Sequence, residues 1–154
     1  MSLIWELKRI DQCTPEDVLA FCKLRTDVFF LEQAITEEEI DSHDSHPATE
    51  HIWCRDGQTT VGYVRVVRQD SAPPDDHGIS TSIGRLVVHP EYRRQGIARE
   101  LMDRAVAVCG SEDVILHAQT YIRDFYENCG FQPVGEVFDE AGIPHIRMVK
   151  RAGS

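Results

Sequence analysis

The chain has 154 residues, of which 42% are hydrophobic and 27% charged, values typical of an ordinary globular protein. This length predicts a single domain, residues 1–154, that is large enough to bury a substantial core. The formal net charge of -10 argues against nucleic acid and anionic membranes as partners, because both carry negative charge themselves. An acidic surface instead favours a cationic or amine-bearing ligand.

The cysteine pattern and the N-terminal residues bear on the cellular compartment. Five cysteines occur without a CxxC pair or metal-ligand spacing, and they are Cys13, Cys22, Cys54, Cys109 and Cys129. Their mostly apolar neighbours predict reduced core thiols. The first ten residues carry charges from Glu6 onward and lack the apolar stretch of a signal peptide, and no apolar run approaches the length of a membrane span. We therefore expect a cytoplasmic protein.

The first half of the chain predicts a strand, a helix and a hairpin. A large apolar run indicates a strand over residues 4–10. Thr14, followed by Pro15 and two acids, is a strong helix start, and the apolar period fades near residues 31–33. Two apolar strands, residues 51–55 and 60–68, meet across Asp56-Gly57, a typical hairpin turn.

Two long polar loops interrupt these elements. Residues 36–49 are acidic and lack an apolar period, and residues 69–78 contain Pro73-Pro74 and Asp75-Asp76. Loops of this length are often functional.

The second half alternates strands with helices. The pattern predicts strands at residues 83–88, 114–119, 134–138 and 146–150, helices from Gly96 to about Cys109 and over residues 122–128, and a turn at Ala141-Gly142. Strands that alternate with helices in this way predict an α/β fold with a mixed sheet.

One segment of this half predicts an anion site. A buried strand, Leu86-Val87-Val88, is followed by a His89-Pro90 turn and then by the basic loop Arg93-Arg94-Gln95-Gly96, which opens directly into a helix at Ile97-Ala98. Such a helix start presents unpaired backbone N–H groups and the positive end of the helix dipole. Two arginines and a glycine at the same place favour a phosphate or pyrophosphate, and hence a phosphorylated cofactor.

A resemblance to a known family rests on two motifs in this order. Arg93-Arg94-Gln95-Gly96-Ile97-Ala98 matches R/Q-x-x-G-x-G/A, and Phe125-Tyr126-Glu127-Asn128-Cys129-Gly130-Phe131 matches Y-x-x-x-G-F. With their spacing, these motifs resemble those of the GNAT acetyltransferases. Stretches such as Leu24-Arg25, Asp41-x-x-Asp44, Thr49-x-His51, Ile83-Gly84-Arg85, Ala118-Gln119 and Gly142-Ile143-Pro144-His145-Ile146 look like the ElaA-like branch. Ala98 stands where many members carry a second glycine.

This resemblance implies a GNAT fold, a central mixed twisted sheet of about six to seven strands with helices on both faces. It also implies an N-acetyltransferase that uses acetyl-CoA, without a metal, to acetylate a primary amine of a small molecule or protein by direct attack in a ternary complex. The implied cofactor-binding residues are Leu86, Val87, Val88, Arg93, Arg94, Gln95, Gly96, Ile97, Ala98 and Gln119. Tyr126 would be the proton donor to the CoA sulfur; the alternative, a ring packed on the core with its hydroxyl exposed to water, does not exclude that role.

The general base stays open at this point, because Glu32, Glu50, His117 and His145, or a water chain, are all candidates. Of these, His145 and Glu32 join Tyr126 in the predicted catalytic set. A metal site at His43 and His46 is disfavoured, since their spacing on a loop is unconstrained.

Three further questions stay open in the sequence. Arg25 needs a partner such as Asp41 or Asp44 if it is buried. Arg85 either steers an acidic group or braces the loop. The alternative function is a non-catalytic acyl-CoA-binding or sensing module, whereas a P-loop hydrolase is disfavoured because the basic loop lacks a Gly-Lys-Ser/Thr ending. Strands expected to be exposed at the C-terminal end are compatible with a homodimer.

Overall fold

Seven strands form one sheet in the computed structural model, which describes residues 2–153. The strands are β1 (Ile4–Lys8), β2 (Glu50–Asp56), β3 (Thr59–Arg68), β4 (Thr81–Val88), β5 (Val114–Gln119), β6 (Gln132–Glu140) and β7 (Ile143–Lys150). Their spatial order is β1-β2-β3-β4-β5-β7-β6. Neighbouring strands are antiparallel except β4 and β5, which are parallel. The predicted mixed α/β sheet is therefore confirmed, with seven strands.

Three α-helices accompany the sheet within residues 2–153. They are α1 (Pro15–Thr26), which continues as a π-helical segment (Asp27–Glu32), α2 (Ile97–Cys109) and α3 (Arg123–Asn128). Short 3-10 turns lie at Ile10–Gln12, Pro90–Tyr92 and Thr120–Ile122. Among the helices of residues 2–153, none combines the length and the apolar character needed to cross a bilayer.

The start of α1 shows why the sequence signal was reliable. The Thr14 hydroxyl accepts a hydrogen bond of 3.1 Å from the backbone of Asp17, and the Asp17 carboxylate accepts one of 3.0 Å from the backbone of Thr14. This reciprocal cap satisfies two backbone donors that the helix itself cannot use. The prediction of Thr14 as the capping residue is confirmed.

The helices lie on both faces of the sheet because side chains alternate along each strand. On β2, Ile52 and Cys54 pack in the same core cluster as Leu101 of α2, whereas Trp53, between them, packs with Phe21 of α1. Each of these five side chains is 1% exposed or less. Complete burial of a large apolar side chain contributes about 1.5–3 kcal/mol, so these two clusters anchor the helices to the sheet.

Strand boundaries differ from the sequence prediction at both ends of the chain. The first strand ends at Lys8, two residues before the predicted end, because the 3-10 turn Ile10–Gln12 leads into α1. The last two strands are longer than predicted and extend to the Ala141-Gly142 turn on both sides. Backbone pairing continues beyond the apolar residues that signalled these strands.

Candidate functional site

A gap in the middle of the sheet begins where β4 and β5 separate. Within the described residues these two strands pair only through Ser82 and Ile115. Beyond that pair, the edge of β4 that faces β5 has no strand partner, so its backbone groups are free to pair with something else.

An irregularity in β4 lies at the start of this free edge. Between the pairs Arg65–Gly84 and Tyr63–Val87, β4 contains one residue more than β3. Arg85 lies at this bulge with a φ of 59°, a left-handed conformation that non-glycine residues rarely adopt. Bulges bend a strand and redirect its groups, and here the bend contributes to the separation of β4 from β5.

A groove of about 630 Å³, which we call the α2 groove, lies between this free edge and the start of α2. Residues predicted for cofactor binding form much of its wall, namely Leu86, Val87, Val88, Arg93, Arg94, Gly96, Ile97 and Ala98. Two of the predicted residues are not on this wall. Gln95 lines no part of the groove, and Gln119 lines the neighbouring cavity, where its amide approaches Gln33 at 3.4 Å.

The loop before α2 has the backbone of an anion site. Arg94 and Gly96 both adopt positive φ, 63° and 81°, which turns the chain sharply just before the helix. The Arg94 side chain makes no hydrogen bond or ion pair within residues 2–153, so its charge is available to a ligand. Free amides at the N-terminus of a thirteen-residue helix add to this attraction.

Arg93 is already paired. Its two terminal nitrogens donate to the two carboxylate oxygens of Glu32, both at 2.8 Å, and its Nε donates to the Val88 carbonyl at 3.1 Å. The hydrogen bonds and charge of Arg93 hold the pKa of Glu32 below its usual value. Glu32 is therefore an ionised, paired carboxylate at the wall of the α2 groove.

A second cavity of about 440 Å³ adjoins the α2 groove, and Gln33, Leu86 and Tyr121 line both. We call it the acidic cavity, because four carboxylates lie on its wall, those of Glu37, Glu38, Glu39 and Glu140. Arg85 also reaches it. The acidic cavity is therefore lined by carboxylates and the α2 groove by arginines, and Leu86 lines both.

Tyr126 of α3 lies at the wall of the acidic cavity. It is only 8% exposed, it lines the cavity, and no hydrogen bond within residues 2–153 engages its hydroxyl. Burial raises the pKa of Tyr126, so the phenol keeps its proton at neutral pH.

His145 presents to the same cavity a ring nitrogen that makes no hydrogen bond within residues 2–153. Its side chain is 7% exposed, and Nδ1 lies 2.7 Å from the Ile143 carbonyl oxygen. A carbonyl only accepts hydrogen bonds, so Nδ1 donates, and in the neutral ring Nε2 carries the lone pair. Nε2 lies 3.6 Å from Oε2 of Glu140, beyond hydrogen-bond distance, and has no other partner in residues 2–153.

His117 is held between two carboxylates. Its Nδ1 lies 2.8 Å from Oε1 of Glu140, and its Nε2 lies 2.9 Å from Oδ1 of Asp76. Burial opposes a charge on this ring, but the two carboxylates outweigh burial and raise the pKa of His117. Burial also disfavours the charged form of Glu140. The hydrogen bond from His117 outweighs this effect, so the pKa of Glu140 is lowered.

A buried ion cluster fixes the loop that carries the acidic wall. Arg25, fully buried, donates to both oxygens of Asp44 at 2.7 and 3.0 Å, which confirms the predicted partner. Arg65 donates two hydrogen bonds to Asp41, at 2.8 and 2.9 Å. Burial alone would raise the pKa of Asp44, but the Arg25 hydrogen bonds and charge hold it far below its usual range.

Arg85 joins the same loop to β4. Its Nε donates to the Glu39 carbonyl at 3.0 Å, and one terminal nitrogen donates to Asp41 at 3.2 Å. Of the two roles considered for Arg85, the structure supports that of a brace for the loop.

The predicted catalytic residues are thus divided between two compartments. Tyr126 and His145 line the acidic cavity, whereas Glu32 lines the α2 groove. The sequence analysis missed Glu140 and Asp76, because single carboxylates do not stand out in an acidic chain. For Glu140, one available signal was its place beside the Ala141-Gly142 turn, which brings it close to His145 across the hairpin.

Within residues 2–153, no three side chains of His, Cys, Asp and Glu form a group that could hold a metal ion. His43 and His46 remain loop residues, and the backbone N–H of Ala48 donates to the His46 ring at 3.0 Å.

Known proteins resemble this chain over nearly its whole length. A family model described as an acetyltransferase (GNAT) domain matches residues 10–152. Protein ElaA of Escherichia coli strain K12 is 30% identical over 150 residues, which cover 95% of each chain. The crystal structure of Escherichia coli ElaA has a TM-score of 0.87 at 28% identity and covers 97% of this chain and 100% of that one. The crystal structure of an acyl-CoA N-acyltransferase from Pseudomonas aeruginosa has a TM-score of 0.86 at 32% identity, covering 97% and 99%.

Proposed function

Since the chain belongs to the acetyltransferase (GNAT) family, we propose that it transfers an acetyl group from acetyl-CoA to a primary amine. The observation that carries this proposal is the junction at Leu86 of the basic α2 groove with the acidic cavity. A polyanionic donor suits the first compartment, and a cationic acceptor suits the second. Reactants held in contact in this way need no enzyme nucleophile, because direct attack in a ternary complex is sufficient.

The donor would occupy the α2 groove. Backbone amides from Arg94 to Ala98 would bind the pyrophosphate, with the unpaired Arg94 side chain adding charge. The free edge of β4 would pair with the amide groups of the pantetheine arm as an added strand pairs with a sheet. One amide of Leu86-Val87-Val88 would polarise the acetyl carbonyl and stabilise the oxyanion that develops during attack.

Tyr126 would supply the proton that the departing CoA sulfur takes. Burial raises the pKa of Tyr126, so the phenol carries the proton that a general acid must have, although the raised pKa makes it a weaker acid. Its hydroxyl is free of hydrogen bonds within residues 2–153 and can therefore turn toward the sulfur.

His145 is the base that we propose, in preference to Glu32. The Nδ1 hydrogen bond to the Ile143 carbonyl leaves the Nε2 lone pair for a proton from the amine. Glu32 is a weaker base in the ion pair with Arg93, and that pair belongs to the donor compartment.

A direct test combines binding and turnover. Acetyl-CoA should raise the melting temperature of the protein by mass action on the folded state. A screen of polyamines, aminoglycosides, amino acids and peptide amines should then identify an acceptor through release of free CoA. No thermal shift at millimolar acetyl-CoA would refute the donor assignment. Binding without turnover on any acceptor would favour the alternative, a non-catalytic acyl-CoA-binding module.

A further inference from the structure

Glu140 lies between two histidines at the wall of the acidic cavity. Its Oε1 is 2.8 Å from Nδ1 of His117, and its Oε2 is 3.6 Å from Nε2 of His145. The carboxylate is 41% exposed, whereas the His145 side chain is 7% exposed. An accessible anion and a buried nitrogen with a free lone pair therefore face the same cavity.

We propose that Glu140 binds the acceptor as an ammonium ion and presents it to His145, so that the acceptor is a basic aliphatic amine. His117 acts through Glu140 and is a positioning residue. This inference rests on the proposed acetyl transfer and specifies the acceptor side of the same site.

The separation of 3.6 Å is the first argument for this assignment. It is too long for a hydrogen bond between Glu140 and His145, and both atoms are hydrogen-bond acceptors when His145 is neutral. Oε2 of Glu140 and Nε2 of His145 are therefore two neighbouring acceptors, and neither has a donor within residues 2–153. An ammonium group carries three N–H donors and a positive charge, and it can satisfy both.

The surrounding charges supply the second argument. Arg85 from β4 is engaged by the Glu39 carbonyl and Asp41. Arg147 from β7 donates to Asp76 at 2.9 Å. Both arginines are therefore paired with groups other than Glu140, and His117 is shared between Glu140 and Asp76.

His117 supplies the third argument. Both of its nitrogens face carboxylate oxygens, of Glu140 and Asp76, so both donate and neither is free to accept a proton. Its hydrogen bond occupies Oε1 of Glu140 and directs Oε2 toward the cavity. The loop residue Asp76 accepts from His117 and Arg147 through Oδ1, is buried, and does not line the acidic cavity, which leaves Glu140 as the carboxylate beside His145 that is open to a ligand.

The proton balance of this step is complete. The bound ammonium ion transfers one proton to Nε2 of His145, and Glu140 stabilises the imidazolium that forms. The neutral amine then attacks the acetyl carbonyl carbon, forming a C–N bond, and the C–S bond breaks. The sulfur takes the Tyr126 proton, Tyr126 recovers one from the nitrogen, and His145 releases its proton to solvent.

Glu140→Gln tests the proposal, with Glu136→Gln as a matched control on the same strand that lies outside the acidic cavity. Alkylamines (putrescine, benzylamine) and arylamines (aniline, 4-aminobenzamide) serve as acceptors. Glu140→Gln should raise the KM for alkylamines at least about 10-fold, because it removes a charge-assisted hydrogen bond, while the KM for acetyl-CoA is unchanged.

His117→Asn should also raise the KM for alkylamines, but by a smaller factor, because Glu140 keeps its charge and loses only the hydrogen bond that orients it. The proposal would be overturned if Glu140→Gln had the same kinetic constants as Glu136→Gln. It would also be overturned if the wild-type enzyme preferred arylamines to alkylamines. Circular dichroism and the melting temperature establish that each variant is folded.

A second measurement needs no turnover. Putrescine should shift the ¹⁵N resonances of the His145 and His117 rings in the wild-type protein, without acetyl-CoA, and should leave them unchanged in Glu140→Gln. Absence of a shift in the wild type would overturn the amine site. Failure of acetyl-CoA to bind would instead refute the proposed function, so the two failures are distinguishable.

Discussion

Arg93 donates two hydrogen bonds of 2.8 Å to the carboxylate of Glu32 across the wall of the α2 groove. The arginine that the sequence predicted for a pyrophosphate thus already has an anionic partner, whereas Arg94 has none within residues 2–153. A phosphorylated donor that uses Arg93 must compete with Glu32.

Glu32→Gln should therefore tighten the binding of CoA. Removal of the competing charge frees Arg93 and lowers repulsion of the pyrophosphate, and we expect the Kd to fall about two- to five-fold, a range set by the strength of exposed ion pairs. Calorimetry at low salt measures this effect, which should shrink as salt rises. Glu16→Gln, on the exposed first turn of α1, is the control; unchanged or weaker binding in Glu32→Gln would contradict the competition.

Two substitutions at Gly96 test the proposed donor loop, because one strains only the backbone and the other also blocks the position of the pyrophosphate. Its φ is 81°, and no neighbouring atom lies within 4 Å of the position that a Cβ would occupy. The main effect of Gly96→Ala is therefore the left-handed backbone conformation, which should destabilise the folded state by about 1 kcal/mol. Gly96→Glu adds a bulky negative charge where the pyrophosphate would lie. We expect both variants to fold with similar stability, Gly96→Ala to retain CoA binding and Gly96→Glu to lose it. Normal CoA binding by Gly96→Glu would show that the loop is not the donor site.

Tyr126→Phe should lower kcat and leave the Kd for acetyl-CoA nearly unchanged. Loss of a general acid typically reduces the rate about 10²-fold or more. Because no hydrogen bond within residues 2–153 engages the hydroxyl, thermal stability should change little. Stopped-flow or steady-state kinetics, combined with calorimetric binding, measure the two effects, and an equal loss of turnover and affinity would indicate a packing role instead.

Asp44→Asn should destabilise the fold by about 3 kcal/mol, since it removes the carboxylate that pairs with both Arg25 and Arg65 and leaves the fully buried Arg25 with Glu39 as its charged partner. Asp27→Asn removes an exposed partner of Lys23 and is the matched control, expected to change stability by less than about 0.5 kcal/mol. Urea unfolding of both variants measures the difference. Equal effects would mean that the Arg25–Asp44 pair contributes no more than a surface pair.

The same pair predicts a dependence of stability on pH. Because the folded state holds the pKa of Asp44 far below its ordinary value of about 3.9, the contribution is fully present above that value and is lost as the pH falls below it. The free energy of unfolding should therefore decline below about pH 4, and less steeply in Asp44→Asn. Urea titrations at a series of acidic pH values measure this slope; parallel slopes would exclude Asp44 as a cause.

The elements of this fold whose signals lie within a short stretch of chain were predictable from the sequence. Thr14 caps α1 as its spacing to Asp17 indicates, and Gly96 precedes α2 as its place after the basic loop indicates. The residues from Leu86 to Ala98 that line the α2 groove lie within one short stretch of sequence, so their pattern is visible without the fold. Capping and the start of a helix depend on neighbouring residues, which is why such signals are legible.

The proposed acceptor side depends on the tertiary structure. Asp76, His117, Glu140 and His145 come from a loop and three strands, and the sheet order β4-β5-β7-β6 brings them to one place. Whether a histidine is an acid, a base or a bridge depends on which atoms surround its two nitrogens, and those atoms are distant in sequence. By itself the sequence determined the family, the mixed α/β fold and the basic loop that leads into α2, because each follows from local order. Only the folded chain decided that Glu32 pairs with Arg93 and that Glu140 stands beside His145, because both contacts depend on how distant segments pack.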